Sequence, residues 1–346
     1  MLERGSDAMD LKPFLAKVSV GQTLSEEEAE AAFAVMMSGE ATQAQMGALL
    51  MGMRVRGETT EELIGAARAM RSRAVRIAAP PGSIDTCGTG GDAKGTLNIS
   101  TAVALVVAGC GVPVAKHGNR AASSRSGSSD VLSALGVNID ADMKLVERCL
   151  WEANIAFLMA PRHHGATRHV AGVRTELATR TIFNLLGPLS NPAEAPRQLM
   201  GIFAADYVER QARVLHALGS ERAWVVHGSD GMDELTTTGP STVAELKNGE
   251  VRLFELTPEE AGIPRAKPSD LAGGSPEENA RALRALLEGA RGSYRDIVLF
   301  NTAAALMIAE KVEDLQAGVA RAAESIDHGA ATDALSKLVA ITNEAL

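Results

Sequence analysis

Aromatic side chains are scarce: two Trp, two Tyr and seven Phe make up 3% of 346 residues. The core must therefore be built from Ala, Leu, Val, Ile and Met, as in many helix-rich α/β proteins. Cysteine is rarer still. Cys87, Cys110 and Cys149 are odd in number and show no Cys-x-x-Cys spacing. That argues against a disulfide framework or a structural zinc site and fits a reducing cytoplasm. Net positive charge is also missing. A formal charge of −9 is a poor basis for binding nucleic acid, whose phosphate backbone needs a basic surface. A small anion can still bind if basic groups gather locally. The start of the chain, Met1 to Leu11, lacks the apolar segment of a signal peptide, and Met9 is a second candidate start.

One long uncharged stretch, residues 95–115, has the length of a membrane span. Asn98, Ser100, Thr101, Gly109, Gly111 and Pro113 interrupt it, so it reads as a buried helix over 99–108 followed by a buried strand over 112–115. With 46% apolar and 22% charged residues, the chain is expected to be a soluble globular protein with one large and one smaller domain. Residues 10 to about 75 carry only helical patterns. Ser25 and Glu28 form a capping box, Thr42 opens a helix over 44–56 that Gly57 ends, and Thr60 opens another over 61–73. Pro80-Pro81-Gly82 then breaks the chain. Beyond it, short β-branched or apolar runs at 84–86, 112–115, 155–159, 199–203, 223–226 and 251–254 alternate with helical patterns. This alternation predicts an α/β sheet with helices on its faces. Helices over 276–288, 295–310 and 315–327 close the chain.

Four segments carry the chemistry. Asp85-Thr86-Cys87-Gly88-Thr89-Gly90-Gly91-Asp92 follows a strand, and its glycines let backbone N–H groups approach an anion. It lacks the Gly-Lys-Ser/Thr of a Walker loop. Gly88-x-Gly90-x-x-Ala93 matches a dinucleotide fingerprint, but that motif needs an acid about twenty positions on. No Asp or Glu occurs between Ala93 and Ser129. Asn98-Ile99-Ser100-Thr101 either caps the apolar helix or presents hydroxyls to phosphate at its positive end. Lys116-His117-Gly118-Asn119-Arg120 leads into a serine-rich run from Ser123 to Ser129. Lys94, Lys116, Arg120 and Arg125 thus form an acid-free basic island in an acidic chain, as a small polyanion requires. Asp233-Glu234 follows a strand and suits Mg²⁺ beside a polyphosphate, although an isolated acidic pair is usually a solvated turn. His163, His164, His169 and His227 make no recognisable metal-ligand set. Cys87 is expected only to pack.

Taken together, Cys87–Asp92, Asn98–Thr101, Lys116–Arg120, Asp233-Glu234 and the run Arg180-Thr-Ile-Phe-Asn-Leu-Leu-Gly-Pro-Leu-Ser-Asn-Pro192 resemble the motif set of the anthranilate phosphoribosyltransferases. The resemblance extends over nearly the whole chain, through Pro276–Ala280, Arg295–Val298 and Glu324–Asp327. It implies an α/β fold of the nucleoside phosphorylase/phosphoribosyltransferase type: a small all-helical domain plus a larger α/β domain with a central, mostly parallel sheet. The helical, dimer-forming domain would take residues 1–78 with returning helices at about 166–190. The α/β domain would take 79–165 and 191–346. The resemblance assigns phosphoribosyl pyrophosphate to Gly88, Gly91, Asp92, Thr96, Asn98, Ser100, Thr101, Lys116 and Ser128. It assigns Mg²⁺ to Ser100, Asp233 and Glu234, and anthranilate to Gly88, His117, Asn119, Arg174 and Pro188. A cytoplasmic homodimer with no nucleic-acid or membrane partner is implied. Ala178 stands where the family usually has Gly, and Gly165 and Gly172 where it often has Pro, which should adjust helix ends near the acceptor pocket.

No covalent nucleophile is expected. An amine attacks the anomeric carbon as pyrophosphate leaves, through an oxocarbenium-like transition state. Two other readings are a pyrimidine nucleoside phosphorylase-like enzyme, against which Asn119 and Asp233-Glu234 speak, and a non-catalytic nucleic-acid-binding paralogue. The negative charge and the presence of His117, Asn119 and Arg174 oppose the second. A gel-shift titration at low salt is accordingly expected to leave duplex DNA unretarded. Retardation that fades with added salt would support the paralogue instead.

Overall fold

The computed structural model describes residues 10–120 and 126–345. Met9, Ser123, Ser124 and Arg125 of the sequence reading lie outside the described residues. The chain divides into two compact units: the described residues up to Val75 with His164–Ser190, and Arg76–His163 with Asn191 onward.

The first unit is helical. Its helices are Lys12–Ser19, Glu26–Ser38, Gln43–Arg56, Thr60–Ser72, Arg168–Leu177 and the short Phe183–Leu186. Three begin on reciprocal capping boxes: Ser25 with Glu28, Thr42 with Gln45, and Thr59 with Glu62. The cap of the last is thus Thr59, and Thr60 is already helical, because Glu62 sits three residues after Thr59. Glu62 is fully buried; it accepts the Leu24 and Thr59 N–H groups, each at 3.0 Å, and pairs with Arg56. At Gly65 a Cβ would lie 2.2 Å from the Glu26 carbonyl oxygen, so two helices meet there backbone to backbone.

The second unit holds a seven-stranded sheet: β1 Ile84–Gly88, β2 Val114–Gly118, β3 Ile155–Met159, β4 Arg197–Gly201, β5 Arg222–Gly228, β6 Ser241–Lys247 and β7 Glu250–Leu256. Their order is β3-β2-β1-β4-β5-β6-β7. The first five are parallel, and β6 and β7 add on antiparallel. Parallel strands covered on both faces need continuous apolar runs, and β3 is buried throughout. The chain winds from β1 toward β3 on one side, then crosses back to β4. The order therefore reverses between β1 and β4, and open α/β sheets bind ligands beyond the carboxyl ends of strands at such a point. The helix Ile99–Gly109 explains the long uncharged run. Between Ile99 and Ala108 every residue is buried except Ser100. Among the described residues no helix is long and apolar enough to cross a membrane.

Several elements differ from the sequence reading. β2 is shifted to Val114–Gly118, because pairing with β3 continues to Gly118 opposite Met159. Lys116 and His117 therefore lie inside a strand, 2% and 5% exposed. β4 starts at Arg197 and stops at Gly201 rather than running over 199–203. β6 is not expected from the sequence, since Ala-Glu-Leu-Lys favours helix; pairing with β5 along its whole length overrides that preference. The β6–β7 hairpin turns on Asn248-Gly249, both left-handed (φ 52° and 78°). A last helix, Ala330–Thr342, follows Gly329 with no side-chain cap to announce it. Gly172 sits inside the helix Arg168–Leu177 rather than at its end.

Ala178 closes that same helix in the left-handed region, φ 47° and ψ 26°. A Cβ is disfavoured there. Ala178→Gly is expected to raise unfolding free energy by about 0.5–1 kcal/mol, read by urea denaturation. A loss would mean that the alanine methyl contributes more by packing than it costs in strain.

Candidate active site

The carboxyl ends of β1, β2, β4 and β5 converge on one set of loops. β1 ends at Gly88 and leads into the glycine loop, where Gly90 and Gly91 take φ of 65° and 72°. These values let successive N–H groups turn inward. The Gly90 N–H already donates to Asp233 Oδ2 at 2.8 Å. Two glycines make room for Asp233. A Cβ on Gly88 would lie 2.5 Å from Asp233 Oδ2, and one on Gly201, at the end of β4, 1.5 Å from the Asp233 carbonyl oxygen. Gly201 also accepts the Thr89 N–H at 3.0 Å.

Glu234 reaches the neighbouring segment. Its Oε1 accepts the Ser100 N–H at 3.1 Å, in the first turn of the helix Ile99–Gly109. The two carboxylates thus point to different elements, one to the glycine loop and one to a helix start. Lys116 rises from β2 to the same place; its Nζ donates to Thr86 O at 2.5 Å and to Ser100 Oγ at 3.3 Å. Asn98 occupies the cap position, but its side chain makes no cap bond. It donates to Ser126 O at 3.2 Å and accepts from Asn279 Nδ2 at 2.9 Å. Ser128 Oγ donates to Asn119 O at 3.2 Å, and Thr96 bridges to Ala272.

Charge is concentrated here at low solvent exposure. Burial, then the charge of Asp92, pushes the Asp233 carboxyl up to about 7. Burial and the Asp233 charge push Glu234 well above the usual carboxylate range. Burial depresses the Lys116 ammonium, while Asp85 opposes that shift. Asp85 is itself raised to about 6 by burial; it accepts the His117 N–H at 3.1 Å and Asn191 Nδ2 at 2.7 Å. Carboxyls crowded this way favour either protons or a cation. Ser100, Asp233 and Glu234 supply only hard oxygen donors, which suits Mg²⁺ with water and phosphate oxygens completing its shell. Among the described residues no group of three or more His, Cys, Asp or Glu could hold a metal by itself. Burial raises the Cys87 thiol, and Gln198 Nε2 donates to its sulfur at 3.0 Å, so the thiol is packed and held in its protonated form.

Gly88, Gly91, Asp92, Thr96, Asn98, Ser100, Lys116, His117, Asn119, Ser128, Asp233 and Glu234 therefore all belong to the α/β unit, around these strand ends. Thr101 lies in the same helical turn but is buried. Arg174 and Pro188 belong to the helical unit. Arg174 is exposed, with its guanidinium 5.4 Å over the Phe183 ring, and Pro188 is buried. Sequence reasoning missed Asp85, Asn191 and Asn279 as supports of the site. A carboxylate, Asp85, in a short buried strand was the available signal.

The profile of a glycosyl transferase family matches the chain twice: its helical bundle domain over residues 12–74 and its a/b domain over 81–332. The chain belongs to this glycosyl transferase family. The anthranilate phosphoribosyltransferase of Paramagnetospirillum magneticum is 63% identical over 333 residues, 96% of each chain. The crystal structure of the Thermus thermophilus anthranilate phosphoribosyltransferase superposes with a TM-score of 0.91 at 43% identity, covering 98% of this chain and 100% of that one. The Saccharomyces cerevisiae enzyme in complex with PRPP and Mg gives 0.88 at 27% identity, with 97% and 98% covered. Within the family, the chain's place is with the anthranilate phosphoribosyltransferases.

The close approach at Gly201 can be tested directly. Gly201→Ala is expected to destabilise the protein by about 1–3 kcal/mol and to speed hydrogen exchange across residues 88–92, because the acceptor of the Gly90 N–H is displaced. Unchanged exchange there would disconnect β4 from the glycine loop.

Proposed function

We propose that the chain performs the anthranilate phosphoribosyltransferase reaction at these strand ends. The phosphoribosyl group of 5-phosphoribosyl 1-pyrophosphate passes to the amine of anthranilate, giving N-(5-phosphoribosyl)anthranilate and pyrophosphate for tryptophan biosynthesis. Gly88, Gly91, Asp92, Thr96, Asn98, Ser100, Lys116 and Ser128 bind the donor, with Thr101 completing the turn. Ser100, Asp233 and Glu234 hold Mg²⁺. Gly88, His117, Asn119, Arg174 and Pro188 receive anthranilate. The observation that carries this reading is the joining of glycine loop and helix start by one carboxylate pair, Asp233 to Gly90 and Glu234 to Ser100. The complex of the yeast relative with PRPP and Mg supports the donor and metal, and another with 4-fluoroanthranilate supports the acceptor.

The bond from the anomeric carbon to pyrophosphate oxygen breaks with its electron pair leaving on the pyrophosphate, and the amine nitrogen bonds to that carbon from the opposite face. The aryl ammonium formed sheds its proton to water, so no strong general base is needed. Bound Mg²⁺ neutralises charge on the departing pyrophosphate. Backbone N–H groups of the glycine loop and the Lys116 ammonium add positive potential at the departing group. Arg174 suits the anthranilate carboxylate, because a guanidinium matches it in a bidentate pair. The protein acts in the cytoplasm as a homodimer joined through its helical unit.

The test follows the loss of anthranilate fluorescence with phosphoribosyl pyrophosphate and Mg²⁺. Decay is expected to need all three components, and Asp233→Ala with Glu234→Ala to slow it at least about 100-fold. A folded protein that binds the donor but leaves anthranilate fluorescence unchanged would sink the acceptor assignment. Arg174→Ala is expected to raise the anthranilate KM about 10-fold or more, with a smaller change in kcat. Because burial and the Asp92 charge push the Asp233 carboxyl up to about 7, protons compete increasingly with the cation as the pH falls through that value. Apparent Mg²⁺ affinity should therefore rise from pH 6 to pH 8, and a flat profile would contradict the metal role.

A further inference from the structure

The helix Ser293–Ile308 is apolar along most of its length, yet carries Asn301 at its centre, fully buried between Phe300 and Thr302. A primary amide in such surroundings is costly unless all its bonds are met. Here they are met, and two of the three go to one residue. Asn301 Oδ1 accepts the Leu235 N–H at 3.0 Å, and Nδ2 donates to Leu235 O at 2.8 Å and to Ile297 O at 2.9 Å. The amide therefore pairs with Leu235 as one strand residue pairs with another. It fixes the two peptide planes flanking Leu235, and the first of these contains the carbonyl of Glu234.

We propose that Asn301 is a positioning residue for the Asp233-Glu234 pair, setting the geometry in which the two carboxylates face Gly90 and Ser100. The inference rests on the metal-holding role proposed above for that pair. The loop has other supports: beyond the acid pair, the Ala266 N–H donates to Thr237 O at 3.0 Å and the Thr236 N–H to Ser241 Oγ at 2.9 Å. Asp230 accepts the Met232 N–H at 3.1 Å and the Thr236 and Thr238 hydroxyls at 2.7 and 2.6 Å, all within the loop itself. Those bonds shape the loop without placing it. Asn301 places it, because its hydrogen bonds come from a separate, rigid helix 66 residues further along the chain. Leu235 is fully buried, so water cannot replace the amide. An apolar side chain at position 301 would leave both Leu235 backbone groups without partners. The segment would then turn to satisfy them and carry Glu234 with it.

Mn²⁺ binding, read by electron paramagnetic resonance with inorganic pyrophosphate present, tests this without relying on turnover. Asn301→Leu is expected to weaken Mn²⁺ binding about 10-fold or more, and to raise the Mg²⁺ concentration for half-maximal rate in parallel. The KM for anthranilate should change less than about twofold, since the acceptor residues are untouched. Asn301→Asp, which as a neutral carboxyl can still pair with both Leu235 groups, should recover most of the affinity. Leu306→Ala serves as a comparator: it opens a cavity on the same helix and should cost stability while leaving Mn²⁺ affinity as in the parent. Should Asn301→Leu not fold, Asn301→Ser carries the same expectation, because its side chain is too short to reach Leu235. Parental Mn²⁺ affinity in whichever of these two folds would overturn the proposal. The double variant Asp233→Ala with Glu234→Ala separates the two ideas. If it too binds Mn²⁺ normally, the metal reading fails; if it alone loses Mn²⁺, only the role of Asn301 fails.

Discussion

Two hydrogen bonds from backbone N–H groups to acid side chains organise this site: Gly90 to Asp233 and Ser100 to Glu234. They draw the loop after β5 across the end of β4 and onto β1 and the helix that follows it. That crossing is possible only because Gly201 has no side chain to meet the Asp233 carbonyl. The glycine loop, the helix start and the acids are therefore one object, although the sequence scatters them from residue 88 to residue 234.

The sheet makes that object possible. Reversal of strand order between β1 and β4 leaves an opening at the carboxyl ends. Lys116 enters it from β2, inside the sheet rather than on a loop, and meets Ser100. A buried lysine, a buried Asp85 and two raised carboxyls stand close together. Such an arrangement is a poor stability device, since removing each charge from water is costly. It is a suitable place for a ligand that carries several charges and brings its own cation.

Much of this was legible in the sequence. Glycine clusters, an acid-free basic segment and an acidic pair are local patterns, so their meaning survives without coordinates. The capping box of Ser25 with Glu28 was equally legible, because a cap needs only residues three apart, whereas adjacent Thr59 and Thr60 left the third cap one residue out. What could not be read depended on partners far away. Asn301 looks like an accident in an apolar helix until Leu235 is placed beside it, and Asn279 means little until it meets Asn98. β6 was hidden for a related reason: its composition argues for helix, and only its neighbour β5 makes it a strand. Asn98 shows the opposite hazard. Its position is that of a helix cap, but its side chain is engaged elsewhere.

The apolar helix Ile99–Gly109 has one further consequence. Its first turn faces the site through Ser100, while its last residue has no clearance. A Cβ on Gly109 would lie 2.3 Å from Ser325 Oγ and 2.6 Å from the Ala331 N. The Ser325 hydroxyl also holds the Val106 carbonyl at 3.0 Å. Close packing and this hydrogen bond tie the far end of the helix to the helices that close the chain, so its positive end faces the site from a well-anchored base. Accommodation of the ligand falls to the glycine loop.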